Sequence, residues 1–586
     1  ALARPLRIIT GPSLDPQAPP RGHRRLVALA LALVLAVFGA RCLHVARTDS
    51  ITIDEATHLK RCLHFWMTGD DLVMWELGAP RLPHLLNALP SYLALLRSGL
   101  LPAAASPEAI EQLVLSGRPQ VLVPARCVAI AWGMALLAVV FWAVARRRGA
   151  VAGLVAAAIL SLVPEILAHA SIAGSDMPFT AAAMLAVALM ARYAERPTSG
   201  RWLALAGAVG LAWAMRHTAL LLLPMAAGVH LWIALKGTPP SERRLLLERL
   251  WGSILASLAL GLVAGLVLWA GEGFAMALLG EVADRVTTLS IPSRLGPLDL
   301  SGLPVPTAIL SILKQIRHQN AGHEAYFCGQ LGDQGWLLYF PVAFLLKTPV
   351  GFLALMVLAA ARFRPRDRWE GLCLAFLVVL WVMLVRNKVN IGVRYALLTY
   401  PLVLPFVTRL FEPEALRDWV WTPLALGALL WLGIASAACH PRYLSYFNAI
   451  GGGPSRGWLY LADSNLDWGQ DFDALIPTLK RLGITEVTTD LSSERRLEVP
   501  GLFALVYPNR TLQVPAVTPP NRRLYDAEGG YLPVHTRYVA VSASRLLGLY
   551  SHNDMSWLWT RRLLARVGDS IFVFDMDQPA AQPFID

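Results

Sequence analysis

Long apolar runs separated by short basic or polar segments dominate this chain of 586 residues. A helix needs about twenty mainly apolar residues to cross a bilayer. By that measure the sequence predicts eleven spans, at 25–46, 121–145, 150–170, 177–195, 202–215, 218–235, 251–271, 336–361, 370–386, 393–410 and 419–438. The pattern therefore predicts a multi-pass α-helical membrane protein.

Basic residues are concentrated in short segments between these spans, and the formal net charge is +12. The clusters lie at 24–25, 146–148, 192–201, 236–249, 362–368 and 409–417. With the N-terminus inside, all of them fall on the cytoplasmic side, as the positive-inside rule requires. The positive net charge is thus explained by membrane topology, and no nucleic-acid partner is predicted. Only 16% of residues are charged, which argues against a soluble protein of this size.

Three longer segments fall on the predicted outer side of the membrane, at 47–120, 272–335 and 439–586. The last of these has the composition of an ordinary soluble chain. It shows a helical pattern at 472–482 and strand patterns at 486–489, 538–542 and 570–574. The sequence predicts a cytoplasmic tail at 1–24, a membrane domain at 25–438 and a small extracytoplasmic α/β domain at 439–586.

Two adjacent carboxylates, Asp54 and Glu55, follow the first span directly. Ionisable groups at a membrane are costly and are therefore candidates for function. The alternative is a capping box formed by Thr52 and Glu55, in which the two side chains satisfy free amides at a helix start. In such a helix Asp54 and His58 share a face whereas Glu55 points elsewhere. One carboxylate could then carry chemistry while the other caps the helix.

A second group of candidates surrounds the predicted outer turn between the third and fourth spans. Asp176 precedes Pro178, which also fits a helix N-cap with proline near the first turn. Glu165 and His169 stand four residues apart and could share a metal ion, pair with each other or line a wet cavity. Two ligand types alone are weak evidence for metal.

Cations near the predicted outer ends of spans form a third group, comprising Arg216, Lys347 and Arg394. Snorkelling to the interface explains Arg216 and Arg394 equally well. Lys347 lies about eleven residues into its predicted helix, on the order of 16 Å deep, which is far for snorkelling. Cations converging on one cavity would suit an anionic phosphate.

Two of the six cysteines, Cys62 and Cys328, fall in predicted outer segments. A disulfide between them is one interpretation, because that compartment permits it. Free thiols are the alternative, since sequence does not show whether the two residues approach each other.

Taken in order, these pieces resemble the polyprenyl-phosphate-dependent glycosyltransferases of the GT-C fold. They are most similar to glycosyltransferase family 39, which includes protein O-mannosyltransferases, and to the related aminoarabinose transferases, in a bacterial branch. The resemblance rests on Asp54-Glu55, His169 with Asp176-x-Pro178, Arg216, GWLLYFPVAFLLKTP at 335–349, GVRY at 392–395, HPRYLSYFN at 440–448, GGGP at 451–454 and DSNLDWGQD at 463–471.

The resemblance implies an inner-membrane enzyme with its active site on the extracytoplasmic side. It would transfer a sugar from a polyprenyl-phosphate-linked donor to a hydroxyl of an acceptor glycan, protein or lipid. Asp54 would be the general base, with Glu55 beside it, and Asp176 would help to shape the catalytic pocket. Arg216, Lys347 and Arg394 would hold the lipid phosphate. One carboxylate with nearby cations suffices for a single inverting displacement, whereas a glycosidase needs two carboxyls.

Further pocket candidates are His58, Glu76, His169 and Tyr395. By the resemblance Glu76 corresponds to a metal-binding glutamate of some relatives, so a divalent metal is one interpretation. Asp463 and Asp467 look like a calcium or sugar site, although an aspartate-rich turn explains them equally well. Other functions also fit the sequence: a lipid-linked saccharide flippase, a non-catalytic membrane scaffold, or a metal-dependent hydrolase using Glu165 and His169.

Overall fold

The computed structural model describes residues 21–580 apart from short gaps. The gaps are 71–73, 103–104, 237–241, 281–289, 294–295, 300, 364–366, 494, 496–502, 507–522, 526–530, 534–535 and 551–554. Most of the predicted cytoplasmic tail, 1–20, therefore lies outside the described residues.

Helices account for most of the described chain. They are α1 (Arg21–Thr48), α2 (Ile53–Thr68), α3 (Leu82–Ser98), α4 (Pro107–Leu115), α5 (Pro119–Arg148), α6 (Ala150–Ser161), α7 (Pro164–Ala170), α8 (Asp176–Glu195), α9 (Ser199–Met215), α10 (Leu222–Leu235), α11 (Arg243–Gly271), α12 (Thr307–Ala321), α13 (Tyr339–Lys347), α14 (Val350–Ala361), α15 (Arg368–Val385), α16 (Thr399–Val407), α17 (Trp421–Ala438), α18 (Phe472–Arg481) and α19 (Ala543–Leu546). Short 3₁₀ turns join several of them.

The prediction of a multi-pass helical membrane protein is confirmed. In the described ranges seven helices are long and apolar enough to cross a membrane, or nine if each of two bent pairs forms one span. The two remaining predicted spans do not form single helices of membrane-spanning length. The run at 202–215 became α9, which has 17 residues. The run at 393–410 is divided into a 3₁₀ turn, the nine-residue α16 and a second 3₁₀ turn.

Two of the predicted spans are sharply bent, and a proline follows each break. The axes of α6 and α7 differ by 73°, and those of α13 and α14 by 111°. Pro164 begins α7, and Pro349 directly precedes α14. Proline lacks the N–H that would continue the preceding helix, and it disfavours helical geometry in the residue before it. Because the residues on both sides of each break are apolar, hydropathy alone predicts one continuous span at each place.

Helix α8 lies at the centre of the bundle and is buried along most of its length. It packs against α5 and α9. Small side chains at Ala181, Ala182 and Ala183 are fully or almost fully buried, and small residues allow helices to approach closely. This packing fixes the N-terminus of α8, and with it Asp176.

Strands are confined to the segments between and after the spans. They are β1 (Met276–Leu278), β2 (Ser290–Ser293), β3 (Gly296–Asp299), β4 (Pro304–Pro306), β5 (Ala325–Phe327), β6 (Gln330–Gly332), β7 (Glu486–Asp490), β8 (Phe503–Val506), β9 (Arg523–Tyr525), β10 (Tyr531–Pro533), β11 (Tyr538–Ser542), β12 (Arg561–Val567) and β13 (Ile571–Pro579).

Five of these strands form one mixed sheet in the order β12-β13-β11-β7-β8. Strand β7 runs parallel to β8 and β11, whereas β13 is antiparallel to β11 and β12. Phe472, Leu475 and Leu479 of α18 are buried in one cluster with Val487 and Val573 of the sheet. The C-terminal segment thus has the helix and strands at the positions that the sequence pattern indicates.

The C-terminal segment is tied directly to the start of α2. The Ser50 amide donates to the Gln470 carbonyl at 2.9 Å, and the Ile53 amide donates to the Trp468 carbonyl at 3.1 Å. These two bonds hold 468–470 against the residues that precede Asp54.

The disulfide between Cys62 and Cys328 is absent, because both side chains are free thiols. Cys62 lies on the buried face of α2, while Cys328 is exposed in the turn between β5 and β6. That interpretation of the sequence is therefore wrong.

Candidate active site

A cavity of about 1090 Å³ lies where the helix ends meet the C-terminal segment. Asp54 and His58 reach it from α2, Arg216 from the end of α9, and Arg394 and Tyr395 from the 3₁₀ turn Val393–Ala396. Cavities that bind small molecules are typically about 300–1,000 Å³. The volume is ample for a sugar and a phosphate group. Five residues singled out from the sequence therefore line one space.

The start of α2 separates the two adjacent carboxylates. Thr52 caps the helix, its hydroxyl accepting from the Glu55 amide, while the Glu55 carboxylate accepts from the Thr52 amide at 3.0 Å. This is the capping box that the sequence indicates. Because α2 turns by about 100° per residue, Asp54 points away from Glu55.

The Glu55 carboxylate is buried, and both of its oxygens accept hydrogen bonds. Its two oxygens accept from Nε and Nη2 of Arg126 at 2.9 and 2.8 Å, and one also accepts from the Ala173 amide at 2.8 Å. The guanidinium and these amides hold the pKa of Glu55 below its ordinary value, against the opposing effect of burial. Glu55 does not line the cavity in the described structure. Glu55 therefore has a structural position at the start of α2. The prediction that it lies in the catalytic site beside Asp54 is corrected accordingly.

Asp54 is the carboxylate that faces the cavity, and 41% of its side chain is exposed. Its Oδ2 accepts from Nη1 of Arg394 at 2.9 Å. The guanidinium of Arg394 in turn lies 4.5 Å from the centre of the Trp468 ring. The Trp468 ring thus packs against the Arg394 guanidinium, and Arg394 orients Asp54.

A second ion pair, between Arg216 and Asp176, lies beside the first. Asp176 is buried at the start of α8, and the Arg216 guanidinium lies 4.6 Å from the centre of the Tyr395 ring. Arg394 approaches the same ring at 5.7 Å. Two guanidinium groups therefore flank Tyr395, each balanced by one carboxylate. Asp176 acts on the cavity through Arg216, since its own side chain is not part of the lining.

Two histidines form a neutral stack in the cavity wall. The rings of His58 and His84 lie 3.7 Å apart, centre to centre, at an angle of 15°. Burial, with a smaller effect of Arg394 and Arg61, lowers the pKa of His58 to about 4. Burial also lowers the pKa of His84 well below its ordinary value. Two stacked imidazolium ions would repel each other, so the neutral forms are consistent with the packing. His84 was not recognised from the sequence.

Lys347 is placed differently from the phosphate contact that the resemblance implies. Its ammonium is fully buried, donates to the Leu444 and Asn465 carbonyls, both at 2.6 Å, and forms an ion pair with Glu165 at 2.9 Å. Its charge is balanced by Glu165, and the side chain is not part of the cavity lining where a phosphate would bind. Lys347 ends α13 and Glu165 lies in the first turn of α7, where each charge complements a helix dipole. The pair joins the two bent spans.

The weak metal candidates lie in the same interior cluster. His169 Nε2 is 3.5 Å from Glu165 Oε2, and both side chains are buried. The two side chains thus lie within ion-pair distance, but no hydrogen bond joins them. His169 lies outside the cavity lining, which corrects its placement as a pocket residue. Across the described residues, no group of three or more His, Cys, Asp and Glu side chains is arranged to hold a metal ion.

Glu76 stands at the edge of the cavity, on the 3₁₀ turn Met74–Leu77. Its carboxylate is 3.9 Å from Nη1 of Arg61, and 43% of the side chain is exposed. The following residues, Leu77 and Gly78, line the cavity, whereas Glu76 does not. The structure therefore places Glu76 beside the site and turned toward Arg61.

Several cavity residues were not selected from the sequence. They are Gln315, His318, Gln319, His323 and Tyr550. Asp463, which the sequence left between a ligand site and a turn, also lines the cavity. Most of these belong to α12, to the turn after it and to the C-terminal segment, which carry no membrane-length pattern. The amphipathic pattern of α12 was the available signal, with His318 and Gln319 on its polar side.

A family model supports the resemblance seen in the sequence. The model described as dolichyl-phosphate-mannose-protein mannosyltransferase matches residues 113–270. The predicted resemblance to the GT-C glycosyltransferases is thereby confirmed. Asp176 and Arg216 fall inside the matched segment, whereas Asp54 and Arg394 fall outside it. No curated protein matches the chain.

Three solved structures match the chain at low sequence identity and with TM-scores below 0.5. ArnT from Cupriavidus metallidurans bound to undecaprenyl phosphate is 11% identical with a TM-score of 0.45, the match covering 93% of this chain and 97% of that one. The oligosaccharyltransferase of Archaeoglobus fulgidus in the apo form is 12% identical with a TM-score of 0.40, covering 78% and 62%. AglB from Archaeoglobus fulgidus, with an inhibitory peptide and a dolichol-phosphate, is 10% identical with a TM-score of 0.39, covering 91% and 72%.

Proposed function

We propose that this protein is an integral-membrane glycosyltransferase that takes a sugar from a polyprenyl-phosphate carrier and transfers it to an acceptor hydroxyl. The family match to residues 113–270 supports the class of enzyme. The observation that carries the proposal is the meeting of Asp54, Arg394 and Arg216 in one cavity. These groups supply one proton acceptor and two phosphate-binding forks.

Arg216 and Arg394 are suited to a lipid phosphate. A guanidinium offers paired donors that match phosphate oxygens. Before the donor arrives, each is balanced by a carboxylate, Asp176 or Asp54. A phosphate bound at Arg394 would compete with Asp54 for the guanidinium. Donor binding would then release the Asp54 oxygen for the acceptor hydroxyl.

The reaction would be a single displacement at the anomeric carbon. The acceptor oxygen forms the new bond to that carbon as the bond to the phosphate oxygen breaks, and Asp54 takes the hydroxyl proton. The departing carrier phosphate gains one negative charge, which Arg216 and Arg394 stabilise. A leaving phosphate needs this neutralisation more than it needs protonation, so no second catalytic carboxyl is required.

Apolar side chains at the ends of two candidate spans would receive the carrier. Leu220 and Leu221 line the cavity at the start of one span, His217–Leu235, and Leu380 and Met383 line it near the end of another, Arg368–Val385. Met383 is half-exposed on the helix surface. A polyprenyl chain could therefore enter between these spans while its phosphate reaches the arginines. The cavity would open on the extracytoplasmic side, in keeping with the basic clusters at the opposite helix ends.

Mass spectrometry of co-purifying lipid tests the donor class. We expect the protein, purified in mild detergent, to retain a polyprenyl phosphate or its sugar-linked form. The Arg216→Ala, Arg394→Ala double variant should lose that lipid while retaining bulk phospholipid. Phospholipid alone on the wild-type protein would contradict the proposed donor.

A further inference from the structure

The cavity has a second polar wall that the reaction outlined above leaves unused. It is formed by Gln315, His318 and Gln319 of α12, His323 after it, and Asp463 and Tyr550 of the C-terminal segment. We refer to these six residues as the distal wall. All of them lie outside the candidate spans. The distal wall therefore belongs to the part of the cavity that a water-soluble group would enter.

A continuous chain of hydrogen bonds runs along the distal wall. His318 Nε2 lies 3.1 Å from His323 Nδ1, and His323 Nε2 lies 3.2 Å from the Tyr550 hydroxyl. The Tyr550 hydroxyl donates to Oδ2 of Asp463. Three separate segments of the chain thus contribute to one network.

The proton positions in this network follow from its last bond. Because Tyr550 donates its only proton to Asp463, His323 must donate to Tyr550 from Nε2. A neutral His323 then accepts at Nδ1 from Nε2 of His318. Burial, followed by the nearby Arg394, lowers the pKa of His323, and burial lowers that of His318. Both imidazoles are therefore neutral at pH 7, and every hydrogen bond points toward Asp463.

Asp463 is held in place by its backbone as well as by Tyr550. Its φ is +55°, in the left-handed region that residues other than glycine seldom adopt. Its amide donates to the Ser544 hydroxyl at 3.2 Å. Such conformations cost free energy and are concentrated at functional sites. The strain is consistent with a carboxylate that must face the cavity at a fixed angle.

Resting on the proposed function, we infer that the distal wall is the acceptor subsite and that the acceptor is a saccharide with free hydroxyls. A sugar hydroxyl both donates and accepts, so a wall of neutral imidazoles, amides and a phenol around one carboxylate matches it. Asp463 would accept from a hydroxyl, and Gln315 and Gln319 would donate to others. The cationic groups near Asp54 remain committed to the donor phosphate. A phosphorylated acceptor would meet a carboxylate in the distal wall and be repelled.

Binding to an array of neutral and phosphorylated oligosaccharides tests the inference with the full chain in detergent. We expect neutral glycans to be bound, and Asp463→Ala and Tyr550→Phe each to weaken that binding at least tenfold. Tyr538→Phe, a matched change in strand β11 of the same domain, should leave it unaltered. Undecaprenyl phosphate binding and the melting temperature should stay close to wild type in all three variants.

Several outcomes would overturn the inference. They are binding of phosphorylated glycans only, glycan binding unaffected by both variants, and equal loss of glycan binding, carrier binding and melting temperature. The last would mean that Tyr550 merely fastens the C-terminal segment to the bundle. Displacement of the glycan by a carrier-linked sugar, but not by undecaprenyl phosphate alone, would assign the wall to the donor sugar instead. Failure of the donor proposal would appear separately, as absent carrier binding in the wild-type protein.

Discussion

Asp54 and Arg394 are separated by 340 positions in the chain, yet their side chains meet at 2.9 Å inside the cavity. The first lies on α2, before the predicted second span, and the second on the 3₁₀ turn before α16. Trp468 joins them, because its ring lies against Arg394 and its backbone is bonded to the start of α2. A proposed base and a proposed phosphate ligand are thus linked before any substrate binds.

Replacement of Asp54 by asparagine should slow sugar transfer by about two to four orders of magnitude. The amide cannot accept the hydroxyl proton, and loss of a general base typically costs 10²–10⁴ in rate. We expect that loss in the turnover of a purified carrier-linked sugar, with carrier binding retained. Glu111→Gln removes an exposed carboxylate paired with Lys60 in the same segment and is the matched control. Turnover within tenfold of wild type in Asp54→Asn would remove Asp54 as the base.

Changes at Arg216 should weaken retention of the donor phosphate. Hydrogen bonds to charged groups contribute about 1.5–3 kcal/mol, so Arg216→Ala should weaken undecaprenyl phosphate binding roughly 10- to 100-fold. Arg216→Lys keeps the charge beside Asp176 but loses the paired donors, and should give a smaller loss. The measurement is a titration of detergent-solubilised protein with the lipid.

Two controls belong with that titration. Arg244→Ala removes a highly exposed arginine elsewhere in the protein and should have no effect. A polyprenol lacking phosphate should bind wild type and Arg216→Ala equally weakly. Unaltered affinity for the phosphorylated lipid in Arg216→Ala would exclude Arg216 from the phosphate site.

The fold could largely be predicted because span length and charge asymmetry are local properties. The capping box at Thr52 and Glu55 was likewise readable, since its partners are three residues apart. The bends before Pro164 and Pro349 were not, because hydropathy averages across them. The roles of Glu165 and Lys347 depend on these bends, which bring two distant helix ends together in the interior.

The site was predictable mainly where charge stood out against an apolar background. Asp54, Arg216 and Arg394 were recognised for that reason, and the cavity contains all three. His323 and Tyr550 lie in segments of ordinary polar composition, where no sequence pattern distinguishes a functional histidine or tyrosine from any other. Their meeting depends on how the C-terminal segment docks, which sequence periodicity does not encode.

Lys347→Met should destabilise the protein without acting on the donor. Removing the ammonium takes away the cation that lies 2.9 Å from the buried Glu165 carboxylate, and breaking a buried ion pair typically costs about 3–5 kcal/mol. The double variant Glu165→Gln, Lys347→Met should recover much of that loss, as measured by thermal unfolding in detergent. Lys60→Met breaks an exposed pair and should cost about 1 kcal/mol or less.

The same double variant distinguishes a structural role of Lys347 from a role in binding the lipid phosphate. We expect it to bind undecaprenyl phosphate as wild type does, since Lys347 is buried away from the cavity, paired with Glu165 and bonded to two carbonyls. A double variant of near-normal melting temperature that no longer binds the lipid would restore Lys347 to the phosphate site.

The His58 and His84 stack should make stability depend on pH below neutrality. The folded protein holds the pKa of His58 at about 4, below the ordinary value of 6.5, because the ring is buried near Arg394 and Arg61 and against His84. The unfolded chain therefore binds more protons than the folded one between these values. The contribution of His58 to the free energy of unfolding is therefore fully present above pH 6.5, and it decreases as the pH falls toward 4. His58→Gln should flatten that part of the melting profile, whereas His44→Gln, at an exposed ring, should follow wild type. Identical slopes for His58→Gln and wild type would show that the stack does not exclude the proton.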